Sequence, residues 1–254
     1  MTTLVLAGNT FRESIRDRLV PAVLIFGAVL VATSVLLAPL TLGEHGRVVR
    51  DLGLSTINFF ALLLIVMVGT GMVYREVERK TIHTILTLPV PRSHFLLGKF
   101  FGMYGTVLLS IAALGTMYVG VATLFGGGYR FDLVVAVAMV AMEAFIMTAI
   151  AVFFSAVASP VLSAVFTLFL WIAGNLASDL KLLAKQLESP GIDRLMDVIY
   201  VLLPSLHNFH VRNNLLNDVP VSAGQIGWCC AYAVLYAAGV MAVTIVAFGR
   251  KDFE

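Results

Sequence analysis

Six apolar stretches, each long enough to approach or exceed the thickness of a bilayer, dominate this sequence. They run over Leu19–Leu42, Leu52–Val73, Leu97–Phe125, Leu133–Phe154, Val161–Leu176 and Ile226–Phe248. Crossing a hydrocarbon core takes ~20 residues of helix. In lipid a helix satisfies its own backbone hydrogen bonds, so repeated runs of this length specify helices rather than strands. Only 13% of the 254 residues are charged, against 59% hydrophobic, and the mean hydropathy is +0.95. A soluble domain would carry about 25% charge. The sequence therefore predicts an all-α membrane protein with six transmembrane helices, forming one domain over residues 1–254. The first run is about twice the ~7–15 residues of a signal-peptide core, so it is read as a retained span.

Basic residues orient the chain. Ten lie on one side: Arg12, Arg16, Arg18, Arg75, Arg79, Lys80, Arg92, Lys99, Arg250 and Lys251. Seven lie on the other, and four of those fall in one long loop where charge carries less weight. Both termini and the 74–97 loop are accordingly expected in the cytoplasm, with residues 178–224 as the largest segment outside. A net charge of +2 implies no nucleic-acid partner.

Residues 1–18 read as an amphipathic helix on the membrane surface. Phe11, Ile15 and Leu19 share one face, Arg12 and Arg16 point elsewhere, and Thr10 with Glu13 has capping-box spacing. In the outer segment, Leu180, Leu183, Ala184 and Leu187 form a helical stripe ended by Ser189-Pro190-Gly191. A second apolar helix near Ile192–Leu203, ending at Pro204, is too short to span and suits an interfacial or re-entrant position. Ser222 and Gln225 again have capping-box spacing, before the last span.

The stretch Tyr74–Gly102 holds most of the candidate functional residues. Glu76 to Leu88 reads as a short helix with Ile82, Ile85 and Leu86 on an apolar face and Glu76, Glu78, Arg79 and Lys80 as a charged rim. Pro89 and Pro91 stop it, and Arg92 follows. Such an element suits docking of a soluble partner; composition alone would equally allow an ordinary solvated loop.

This stretch resembles the cytoplasmic signature of ABC transporter type-2 permeases, in the branch associated with copper-enzyme maturation. The matching residues are Glu76, Glu78, Thr81, Ile82, Leu86, Pro89, Arg92, Leu96, Leu97, Gly98 and Lys99. The C-terminal part is similar as well: Leu203-Pro204, then Phe209, Arg212 and Asn213, then a closing Phe248-Gly249-Arg250-Lys251-Asp252-Phe253. The Arg79-Lys80 pair departs from many relatives, which have a glycine or a single basic residue there, and bears on partner choice.

The resemblance implies the membrane half of an ATP-binding cassette exporter in a cell inner membrane, working as a homodimer or with a similar chain. Residues 1–18 would be its elbow helix, 76–88 its coupling helix, and the outer segment its re-entrant helices. ATP and Mg would be bound by two copies of a separate ATPase, with no cofactor on this chain. The chain itself holds no G-x-x-x-x-G-K-[ST] phosphate loop. A different use of the same architecture is mechanical, passing ATP-driven motion to an extracytoplasmic partner without moving a small solute.

Glu143 stands mid-span with no Lys or Arg near the middle of any stretch to pair with it. It is expected to be protonated, bonded to a hydroxyl, or open to an aqueous path, with a structural role at a helix interface equally weighted. Asn58, Asn175, Ser163 and Thr167 are expected to bond helix to helix, with path lining as the alternative. Gly98, Gly102 and Gly105 predict close helix packing. His207 and His210 have no third ligand in sequence, so no metal site is expected. Cys229 and Cys230 read as small residues within a helix.

Overall fold

The computed structural model describes residues 2–37, 45–73, 92–125, 128–186, 203–209 and 222–249, with backbone alone at 2, 37, 45, 92 and 177–186. Among the described residues there are seven α-helices and no sheet. They are α1 (Thr2–Arg16), α2 (Leu19–Leu37), α3 (His45–Leu64), α4 (Arg92–Phe125), α5 (Phe131–Val157), α6 (Pro160–Gln186) and α7 (Ala223–Gly249). A single π-helical turn, Ile65–Gly69, continues α3, and a 3-10 turn, Leu206–Phe209, precedes α7.

Five of these helical segments are long and apolar enough to cross a membrane: those containing α2, α3, α4, α5 and α7. The fifth apolar stretch differs from expectation. Its apolar part, Pro160–Leu176, is shorter, yet the helix runs unbroken to Gln186. The stripe at Leu180, Leu183 and Ala184 is thus the tail of α6 rather than a separate outer helix. Asp179, Lys181 and Lys185 end the hydropathic run, but none of them breaks a helix.

The core is organised around α5, whose apolar window is the most buried of the five. It packs against α3, α4, α6, α7, the π-turn and the 3-10 turn. Missing side chains let neighbouring helices close up. The Tyr118 ring lies against Gly53, and its hydroxyl donates to the Arg50 carbonyl at 3.1 Å, joining α4 to α3. A Cβ at Gly115 would meet Val137 Cγ1 at 2.6 Å, so α4 and α5 pack closely there. Between α5 and α6 only Ala158 and Ser159 intervene, so the two form a tight antiparallel hairpin.

α1 begins at Thr2, eight residues before the capping box placed at Thr10. Thr10 is instead mid-helix and buried, because it faces α4. The contact surface of α1 is a stripe of small residues rather than the Phe11 and Ile15 face alone. Thr3 is hydrogen-bonded to His94, and Ala7 and Thr10 sit over Gly98 and Gly102. A Cβ at Gly98 would lie 2.6 Å from Leu6 Cβ, and one at Gly102 2.5 Å from the Ala7 carbonyl oxygen. Phe11 covers Gly105. The predicted glycine packing is present, and α1 is the element it receives. Arg12 and Arg16 remain exposed, as do Leu4 and Val5.

At the same end of the bundle Lys99, only 5% exposed, reaches Glu13 at 3.7 Å and lies over the Phe95 ring. Phe95 in turn stacks on Phe248 near the end of α7. The N-terminal helix, the start of α4 and the end of α7 therefore share one end of the molecule.

Candidate functional site

Three of the polar residues flagged inside the apolar stretches, Asn58, Glu143 and Asn175, converge at one place. Asn58 comes from α3, Glu143 from the middle of α5, and Trp171 and Asn175, one turn apart, from α6. Glu143 is 2% exposed. Its two carboxylate oxygens are held from opposite helices. Asn58 Nδ2 donates to one at 3.2 Å, and Trp171 Nε1 donates to the other at 2.9 Å. These two donors are an amide and an indole N–H. In a low-dielectric interior such hydrogen bonds are felt fully.

Asn175 lies beside the same carboxyl, but neither its amide nitrogen nor its oxygen reaches a partner in hydrogen-bond geometry. Next to the carboxylate is a cavity of about 10 Å³, lined by Asn58, Ala61, Ile65, Glu143, Met147 and Trp171 among others. That volume is room for about one water. The site therefore ties three helices around a water-sized space. It is too small for a solute.

Asn58, Glu143 and Asn175 are conspicuous in the sequence and Trp171 is not, because an indole passes as apolar in a hydropathic run. Its spacing of four from Asn175 was the available signal, since i and i+4 share a helix face. Ser163 and Thr167 are buried on α6, but Thr167 Oγ1 donates to the Ser163 carbonyl within the same helix and does not bridge helices.

The loop candidates Glu76, Glu78, Arg79, Thr81, Ile82, Ile85, Leu86 and Pro89 lie outside the described residues. Arg92 opens α4, but its side chain is likewise not described. The expected helix near Ile192–Leu203 lies outside the described residues except for Leu203, and His210 lies outside them. His207 is exposed on the 3-10 turn, and no group of three metal-binding side chains occurs among the described residues.

The chain segment before α7 folds back into the protein. Leu206 and Phe209 are buried, and a Cβ at Gly174 would meet the Pro204 carbonyl oxygen at 2.6 Å. The Ser205 N–H donates to the Tyr232 hydroxyl, and the Cys229 thiol donates to the Asn208 carbonyl. Ser222 caps α7 as its spacing predicted, accepting from the Gln225 N–H at 3.2 Å.

A family model described as "ABC-2 family transporter protein" matches residues 4–253. No curated protein matches the chain.

Proposed function

The chain belongs to the ABC-2 family of transporter membrane proteins, and on that premise we propose that it is the permease half of an ATP-driven exporter. It is a multi-pass membrane protein, and permease subunits of this family lack ATPase activity of their own and imply a partner ATPase. The observation that carries the reading is the extent of the match, residues 4–253 of 254.

In this reading six helices cross the membrane, α2 to α7, with α6 as the short one. α1 is the elbow helix and residues 76–88 are the coupling helix. The segment before α7 takes the re-entrant position. Both termini face the cytoplasm, a placement supported by the ten-to-seven distribution of Lys and Arg. Two copies of the chain form the path, and two ATPase copies bind ATP and Mg. The residues Glu76, Glu78, Thr81, Ile82, Leu86, Pro89 and Arg92 support the copper-enzyme maturation branch.

Glu143, with Asn58 and Trp171 bonded to it, acts as a tie between α3, α5 and α6 rather than as path wall, and Asn175 stands beside that tie. The water-sized cavity beside Glu143 supports this. The test of the docking surface is site-specific crosslinking. A photoreactive residue at Ile82 or Ile85 is expected to capture the ATPase encoded beside this chain, while one at Arg212 is not. Capture from Arg212 but from neither isoleucine would refute the assignment.

A further inference from the structure

The helix that leads into the 74–91 loop is not uniform. α3 is α-helical to Leu64, then makes one π-turn over Ile65–Gly69, and reaches Val73 through Thr70 and Gly71. A π-turn holds one residue more than the α-helix around it, and its hydrogen bonds close over five residues instead of four. Closing the turn into plain α-helix while keeping that residue would rotate everything beyond it by about 100°, since an α-helix turns once per 3.6 residues. Thr70 Oγ1 donates to the Val66 carbonyl at 2.6 Å, giving that carbonyl a partner inside the irregular stretch.

Both sides of the turn are fastened to the same helix. Before it, Asn58 is bonded to Glu143. After it, the Val73 N–H donates to Ser155 Oγ at 3.0 Å. Gly69 lies against Ala151 and Met103 with no side chain of its own between them. α5 is a continuous α-helix through both attachments. The cavity beside Glu143 extends along the start of the turn, where Ala61, Leu62 and Ile65 face Ala144 and Met147. One helix thus has two anchors on a rigid neighbour, with its irregular turn and a small void between them.

We propose that the π-turn Ile65–Gly69 is a hinge in α3. Motion of the loop-side end is taken up at this turn by sliding over Ser155 and Ala151, while the Asn58–Glu143 attachment stays fixed. Hinges are short stretches that absorb a backbone change between rigid parts. As a step in coupling, the hinge rests on the reading of residues 76–88 as the ATPase-docking element.

The test uses the full chain in nanodiscs with its ATPase, Cys229 and Cys230 replaced by serine, and labelled chains diluted with unlabelled ones. Spin-label pairs at Arg75→Cys with Val157→Cys, and at Phe59→Cys with Phe131→Cys, report the two sides of the turn. Trapping with ATP, Mg²⁺ and vanadate is expected to shift the first distance and leave the second unchanged. Deleting Val66, which removes the extra residue and keeps the flanks in phase, is expected to spread the shift to the second pair. Ser155→Ala, which keeps the chain length, is expected to enlarge the first shift alone. The hinge is overturned if both pairs shift together in the parent chain, if neither does, or if both variants leave the pattern unaltered. An ATPase that never binds the parent chain removes the docking reading on which the hinge rests, and with it the hinge's part in coupling.

Discussion

Glu143 is a buried carboxylate whose two acceptor oxygens are matched to two N–H donors on different helices. That match makes its substitutions distinguishable. In Glu143→Gln the amide oxygen still accepts from Trp171, and Asn58 can turn its own amide to accept from the new NH₂. In Glu143→Leu both donors lose their acceptor, and each unpaired buried group costs about 1–3 kcal/mol. Thermal unfolding in detergent is expected to separate the two variants clearly, with Gln near wild type and Leu strongly destabilised. Trp171→Phe removes one donor and belongs between them. Equal unfolding temperatures for Gln and Leu would show that the carboxylate holds nothing together. The sequence made Glu143 conspicuous because a mid-span acid is costly. It could not show which helices answer it, since that depends on how α3 and α6 are rotated about their axes.

Among the elements, α1 is the one whose packing departs most from its amphipathic pattern. Its apolar residues Leu4 and Val5 face outward, while Thr3, Ala7 and Thr10 fill the groove left by Gly98 and Gly102. Gly102→Ala places a methyl against backbone, where nothing flexible can yield. Overpacking of this kind costs about 1–3 kcal/mol. The variant is expected to loosen α1, seen as weaker disulfide formation between Thr3→Cys and His94→Cys. Gly239→Ala on α7, whose Cβ would meet nothing within 4 Å, is the control and is expected to leave that crosslink and the unfolding temperature unchanged. Equal crosslinking in both variants would mean that the glycine groove does not hold α1. Helix lengths were mostly legible because run length and lipid thickness are tied. The place of Thr10 was not, since with Glu13 it imitates a cap although it lies within α1. Nor was the extent of α6, where hydropathy ends at Leu176 and the helix does not.

For the whole molecule, the arrangement concentrates mechanical connections at one end. α1, the start of α4 and the end of α7 meet there through Glu13, Lys99, Phe95 and Phe248, and α4 begins where the 74–91 loop ends. A push on that loop would reach α4 and α1 directly, and would reach α5 through the end of α3. The family was legible from the ordered residues of the loop and the C-terminal segment. The cargo was not, since an apolar path wall carries little chemical identity. The proposed function rests most directly on the existence of a separate motor. Purify the chain in lipid with the ATPase encoded beside it, and measure recovery of that subunit and its ATP hydrolysis, with and without charge reversal at Glu76 and Glu78. The ATPase is expected to co-purify and hydrolyse ATP, and reversal is expected to lower its recovery sharply. An ATPase that never associates with the unaltered chain would contradict the proposed function.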